Sequence, residues 1–326
     1  MIRVRELSHI FDKRGIAGLH TITFSLSSGQ VLGVMGPNGS GKSTLLNILA
    51  GKISHQQGSI LLEGEASLFP EKLDLDLHQN VLRFLVNSVS DEINEEKKVQ
   101  LARDLADIFE FSFQLRQTLA DLSSGQMQKV LLAAKLIDRP KVLLLDEPFA
   151  HLDPFTRGDI LRSLFAFIRL QEISIVWVTH DLEDALRFSD NILILNFGRI
   201  EQFSSPLELI KHPKNLYVAQ FLGYRNFFPV LFTNGHWESP WGDLPFPKRD
   251  WAGALLVVPN SSWEMSEKGV EFKILRRYPV RQFIEYELEY GTQKVYFVRS
   301  PEFPILDETT MLSLRPNLRQ SFLIPL

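Results

Sequence analysis

The chain of 326 residues contains no cysteine. That excludes disulfides and thiolate metal sites, and it fits a reducing compartment. Long apolar runs are missing too. None approaches the ~20 residues that a membrane-spanning helix needs, so any membrane role is expected to be peripheral. The opening stretch MIRVRELSHIFDKRG alternates and carries charge, unlike a signal peptide. Charge of one sign is scarce: a formal net charge of -4 gives no general attraction for nucleic acid, and no such partner is expected. No internal repeat or low-complexity segment interrupts the chain. What is present is an ordinary globular balance, 44% hydrophobic and 23% charged, in a length that suggests about two domains.

Two regions differ in character. Up to about residue 222, apolar runs alternate with helical patterns. QVLGVM (30–35), KVLLLD (141–146), SIVWVT (174–179) and NILILN (191–196) read as strands buried on both faces. Between them lie STLLNILAG, VLLAAKLI and DILRSLFAFIRL, which read as helices, so the expected fold is α/β with a parallel sheet. The segment 92–111 is a further helical insert. After Tyr224 the composition shifts. Four of the five tryptophans (237, 241, 251 and 263) fall there, with short alternating runs such as VEFKIL, FIEYELEY and KVYFV. That pattern predicts a small antiparallel all-β domain, a barrel by its strand spacing.

GPNGSGKST (36–44) matches G-x-x-x-x-G-K-[ST] between a buried strand and a helix. Glycines at 36, 39 and 41 let backbone N–H groups close around an anion, and the following helix adds partial positive charge. Lys42 supplies a full charge to the β- and γ-phosphates, and the Ser43 hydroxyl ligates Mg²⁺. A plain Gly-rich turn has no use for Lys-Ser-Thr. KVLLLDEP ends a buried strand on two carboxylates, where ligands collect in α/β sheets. Asp146 is expected on Mg²⁺ and Glu147 on the attacking water; solvated strand-end acids are the plain alternative. His180 ends VWVTH on the same sheet edge and is placed to meet the γ-phosphate or that water. Phe11 either stacks on adenine or fills a core. The helix at 122–137 begins abruptly on LSSGQ, with two serines and a glycine where one cap suffices. It is either an ordinary helix start or an anion site.

Together GPNGSGKS (36–43), LSSGQ (122–126), VLLLDEP (142–148), AHLD (150–153) and TH (179–180) resemble the ATP-binding cassette (ABC) ATPases, in the family's order. LSSGQ is the specific element, since the other motifs occur in many ATPases. The resemblance covers roughly residues 1–222, with a helical subdomain at about 77–135. It implies that Gly36, Pro37, Asn38, Gly39, Ser40, Gly41, Lys42, Ser43 and Thr44 hold the triphosphate of ATP. It places Ser123 and Gly125 on the γ-phosphate of a second subunit, with Gln126 also nucleotide-binding, Asp153 in the loop linking the two sites, and His180 as the switch histidine. Ser124 stands where glycine is common in the family. The family's Mg²⁺-touching glutamine is assigned to Glu71, with Gln79 as the alternative, in an unusually short stretch.

The exit SSPLELIKHPKNLYVAQFLGYRNFFP (204–229) resembles that of binding-protein-dependent importers, in which an oligonucleotide-fold-type (OB-like) β domain follows; here it takes residues 223–326. That subgroup imports sugars, polyamines, ferric iron, sulfate or molybdate. The implied partners are a second cassette in a homodimer, integral membrane permease subunits and, indirectly, an external solute-binding protein. The implied location is the cytoplasmic face of the membrane, and the implied role of the β domain is regulation or dimerisation. Rival classes lack their marks. Repair or translation ATPases of this family usually carry coiled coils, zinc modules or tandem cassettes, and a GTPase needs an N-K-x-D-like reader.

Overall fold

The computed structural model describes residues 1–11, 18–69, 75–90, 93–150, 152–251, 253–307 and 310–326. They form two compact units, Met1–Pro206 and Leu207–Leu326. The first unit begins with β1 (Ile2–Ile10), β2 (Gly18–Leu26), β3 (Val31–Met35), α1 (Lys42–Leu49), β4 (Gln57–Leu62) and β5 (Ala66–Phe69). Then follow α2 (Val81–Asn87), α3 (Glu95–Ile108), α4 (Ser124–Leu136), β6 (Val142–Asp146) and α5 (Pro154–Gln171). It closes with β7 (Ser174–Val178), α6 (Leu182–Phe188), β8 (Asn191–Asn196) and β9 (Arg199–Ser204).

The main sheet has six strands in the order β5-β6-β7-β3-β8-β9. All are parallel except the edge strand β9. Its apolar runs lack polar alternation because both faces are covered. The strand period of two divides each run between two cores. Leu143 and Leu145 join Ile160, Leu164 and Phe165 of α5 on one side. Val142 and Leu144 join Leu45, Leu46 and Leu49 of α1 on the other, with residues of β1 and β2. Those two strands belong to a small antiparallel sheet, β2-β1-β4. The predicted helical run 92–111 contains α3; α2 precedes it, and two 3-10 turns at Ser112–Arg116 and Leu119–Asp121 lead from α3 to α4.

Register sets the functional edge. Asp146 is level with Val178, and Val178 with Val34. The segments leaving β3, β6 and β7 therefore emerge side by side at the C-terminal end of the sheet. These are the phosphate loop, the Asp146–Glu147 pair and the Thr179–His180 pair.

The second unit takes in α7 (Pro206–Lys211), which starts at the boundary, and α8 (Leu216–Phe221). Next come β10 (Asn226–Thr233), β11 (His236–Ser239), β12 (Gly242–Leu244), β13 (Gly253–Val258) and β14 (Trp263–Val280). β15 (Phe283–Tyr290), β16 (Gln293–Arg299), β17 (Met311–Pro316) and β18 (Phe322–Pro325) complete it. Two antiparallel sheets, β12-β11-β10-β13-β18 and β16-β15-β14-β17, enclose one core. The expected alternating runs fall in β14, β15 and β16. Ala219 of α8 packs on Leu255, Val257 and Ile324, which ties that helix to the β-rich unit.

Candidate active site

The phosphate loop is shaped for an anion. Gly36 has φ 148, and a Cβ there would lie 2.1 Å from the Leu195 carbonyl oxygen, so only glycine fits. The helices α2, α3, α4, α5, α6 and α8 are each capped by an Asn, Ser or Asp side chain. α1 instead starts on Gly41 with no side-chain cap. Its first N–H groups are left for a ligand, and the helix dipole favours a negative one. The buried Ser40 Oγ in the same loop has no hydrogen-bond partner among the described residues. Lys42 is buried, and its Nζ donates to the carbonyls of Gly36 at 2.9 Å and Pro37 at 3.0 Å. Burial holds the Lys42 ammonium below the ordinary lysine value, while Glu147 and Asp146 pull it upward. A uncapped helix start, an orphaned hydroxyl and a desolvated lysine suit a polyphosphate.

The carboxylates complete that group. Ser43 Oγ donates to Asp146 Oδ1 at 3.3 Å, which brings the two expected Mg²⁺ ligands together. Burial pushes the Asp146 carboxyl above its usual range against the Ser43 hydrogen bond, and Glu147 adds to the rise. A divalent cation would relieve that crowding of negative charge. Among the described residues, no group of three or more His, Cys, Asp or Glu side chains could hold a metal. The adjoining Ser43 hydroxyl and Asp146 carboxylate fit Mg²⁺ in the mode that uses one or two protein ligands plus nucleotide phosphates and water. Glu147 has φ 49, a left-handed backbone uncommon for a non-glycine residue and costing about 1–3 kcal/mol. Its N–H donates to the Val178 carbonyl at 3.2 Å. His180 Nε2 stands 2.5 Å from Glu147 Oε1. Behind the pair lies a cavity of about 290 Å³ whose walls include Phe149, Arg157, Trp177 and Asp184.

The signature residues form a separate group. Ser123 Oγ accepts from Gln126 N at 3.3 Å, and Gln126 Oε1 accepts from Ser123 N at 2.9 Å. This is a capping box: Ser123 does cap the helix, and the Ser-x-x-Gln spacing adds the reciprocal bond from Gln126 that a single cap would not have. The Ser123 O–H and the first-turn N–H groups keep their capacity to donate. The hollow beside them is lined by Ser123, Gly125, Gln126, Lys129, Asp153 and Thr156, and by no residue of the phosphate loop. Asp153 Oδ1 caps α5 by accepting from Phe155 N at 3.1 Å and Thr156 N at 3.0 Å. The side-chain and backbone hydrogen bonds of Thr156 hold its carboxyl below the usual range.

Phe11 is 58% exposed rather than in a core, with its ring edge-on to His9 at 4.5 Å. Glu71 lies outside the described residues; Gln79, the alternative, precedes the cap of α2. Sequence reading also missed Arg157, which binds Asp181 and Asp184 just after His180. No local sequence pattern links Arg157 to acids 24 and 27 residues further on.

The family described as ABC transporter matches residues 19–150. The spermidine/putrescine import ATP-binding protein PotA of Bacillus anthracis is 36% identical over 311 residues, 91% of this chain and 86% of the relative. The sulfate/thiosulfate import ATP-binding protein cysA of Cucumis sativus is 32% identical over 268 residues, 76% of this chain and 75% of the relative. Among solved structures, the dimeric post-hydrolysis ATP-binding cassette MJ0796 bound to ADP and Pi matches at a TM-score of 0.55 and 22% identity. That match covers 63% of this chain and 99% of the other, a likeness of fold. With relatives above 30% identity matched over most of both chains, this chain is an ATP-binding protein of the ABC transporter family.

Proposed function

We propose that the chain is the ATP-hydrolysing subunit of an importer, working as a two-fold dimer against permease subunits on the cytoplasmic face of a membrane. The observation that carries this reading is the division of the site. Residues 36–44, Asp146, Glu147 and His180 form one group, while Ser123, Gly125, Gln126 and Asp153 line a separate hollow. Each chain thus offers two incomplete halves. An isologous pairing brings each phosphate loop against the partner's signature, so two ATP molecules are sandwiched. The names of the relatives, import ATP-binding proteins for polyamines and sulfate, support the importer role. No described helix is long and apolar enough to cross a membrane.

In this reading Gly36 to Thr44 hold the triphosphate and exposed Phe11 stacks on adenine. Ser43 and Asp146 hold Mg²⁺, which when bound supplies positive charge to the β- and γ-phosphate oxygens. Glu147 orients the water and takes up its proton, and His180 fixes Glu147 through Oε1. Ser123 and Gly125 donate across the interface to the γ-phosphate. ATP acts as a clamp through its greater affinity for the closed dimer, and hydrolysis removes the contact. The α2–α4 region passes this motion to the permease. The second unit either holds the dimer together between cycles or takes a regulatory ligand; truncation near residue 225 separates the two, since loss of dimer without ATP supports the first.

Glu147→Gln tests the core of the model. The variant should bind ATP, lose hydrolysis by about a hundredfold or more, and elute as a dimer only with ATP. A variant that stays monomeric in ATP while hydrolysing at the normal rate overturns the reading.

A further inference from the structure

The first turn of α5 meets both halves of the site. On one side is Thr156: a Cβ built on Gly125 would lie only 2.8 Å from Thr156 Cγ2, so the signature helix rests on that methyl group. The next residue, Arg157, reaches the other way. Its Nη2 donates to Asp181 Oδ2 at 2.6 Å, and its Nε lies 3.2 Å from Asp184 Oδ2. All three side chains are at most one-third exposed.

Asp181 organises the segment that carries His180, and Asp184 lies in the first turn of α6 that follows. Asp181 Oδ1 caps α6 by accepting from Asp184 N at 3.0 Å, and Asp181 N donates to Thr179 Oγ1 at 3.1 Å. Thr179 and Asp181 flank His180, whose Nε2 stands 2.5 Å from Glu147 Oε1. Burial, followed by repulsion from Asp181, pushes the Asp184 carboxyl above its usual range, and Arg157 is the first group opposing the rise. Without the guanidinium, two carboxylates beside one backbone turn would move apart. A planar fork with fixed N–H directions holds such a pair better than a point charge does.

We propose that Arg157 is a positioning residue for hydrolysis: by clamping Asp181 and Asp184 to α5, it holds residues 179–184 so that His180 keeps Glu147 in its reactive orientation. The clamp starts from the turn whose Thr156 supports the signature. Displacement of the signature helix is therefore transmitted to the hydrolytic pair of the same chain through one turn of helix. The proposal rests on the reading of Glu147 and His180 given above.

The test uses the full chain, with steady-state MgATP hydrolysis and binding of a fluorescent ATP analogue. Misplacing a catalytic group by about 1 Å costs up to ~100-fold, so Arg157→Ala should lower kcat about tenfold or more, with KM and analogue affinity within about twofold of wild type. Arg157→Lys, which keeps the charge but not the fork, should recover part of the loss. Arg162→Ala serves as control, because Arg162 pairs with Asp159 and does not touch the 179–184 segment. If Arg157 acts through His180, then Arg157→Ala combined with His180→Ala is no slower than His180→Ala alone. Asp184→Asn opens one arm of the clamp and should lower kcat with KM unchanged, which keeps the test available if Arg157→Ala does not fold. An Arg157→Ala or Asp184→Asn protein that folds and turns over like wild type overturns the proposal. So do losses that multiply in the Arg157→Ala, His180→Ala double variant. If His180→Ala itself costs nothing, the reading of the hydrolytic pair falls as well. If His180→Ala is slow while Arg157→Ala is fast, only the positioning role falls.

Discussion

Gly125 shows how one residue answers to two demands. A bare N–H in the first turn of α4 suits an anion, and any small residue would supply that N–H. The stronger constraint is within the chain, because a Cβ at this position would lie 2.8 Å from Thr156 Cγ2. Threonine is β-branched and cannot swing its methyl aside freely, so the first turn of α4 must give way. Gly125→Ala should therefore lower ATP hydrolysis by about tenfold, ~1.4 kcal/mol of barrier, while nucleotide binding to the phosphate loop stays normal. Thr156→Ser removes the offending methyl and keeps a hydroxyl for Asp153, so the double variant should regain most of the rate. A double variant as slow as Gly125→Ala would place the glycine requirement at the phosphate alone. Much of this residue scale was legible beforehand. Lys42, Ser43, Asp146, Glu147 and His180 stood in spaced motifs, and they converge because their strands are adjacent and in register. The Thr156–Gly125 contact and the Arg157 clamp were not legible, since they join helix and loop residues 24 to 31 positions apart that no local periodicity links.

At the scale of elements, α5 serves the site through its first turn. It starts sharply, with Asp153 as cap and Pro154 in the first position, where the missing N–H costs nothing. That fixes the turn bearing Thr156 and Arg157. It stops on Glu172, whose φ of 54 is left-handed. A non-glycine residue there costs about 1–2 kcal/mol, against about 0.5–1 kcal/mol for the entropy glycine loses on folding. Glu172→Gly should thus stabilise the chain by roughly 0.5 kcal/mol and leave hydrolysis unchanged, because this end is remote in sequence from the clamp. Equilibrium urea unfolding checks the first statement and steady-state turnover the second; a clear loss of stability would show that the Glu172 side chain makes a contact worth more than the backbone strain. Elements of this kind were the most readable part of the fold. The run 191–196 is a strand to the residue, and 141–146, 174–179 and 30–35 differ by one residue at an end, because fully buried parallel strands need unbroken apolar runs. β1, β2 and β4 were harder to see. They are antiparallel, with bulges in β1 that break the period of two on which strand reading depends.

At the scale of the whole molecule, two kinds of core are built from one cysteine-free chain. The cores of the first unit draw on residues up to Phe203, and those of the second on Ala219 onward. In the second unit aromatic side chains such as Phe228, Trp263 and Phe272 pack among aliphatic ones such as Val230, Leu256 and Leu314. Phe228 meets both Trp241 and Trp263 edge-on, at 4.8 and 5.8 Å, and Trp263 meets Phe272 at 5.5 Å. Such pairs contribute about 0.5–1.5 kcal/mol each beyond the area they bury. Trp237 Nε1 donates to Pro247 O at 3.1 Å and Trp241 Nε1 to Leu314 O at 3.0 Å, so two of the indoles bury their rings without abandoning their donors. The unit is well above the size, about 40 residues, below which small domains need disulfides or metals. Residues 207–326 expressed alone should therefore fold, with a cooperative thermal transition and a strong near-ultraviolet circular dichroism signal from immobilised tryptophans. The described residues of its cores, and the described strands of both sheets, all lie within the fragment. A fragment with secondary structure but no near-ultraviolet signal, melting without a defined midpoint, would mean that the aromatic core is not sufficient and that the first unit completes it.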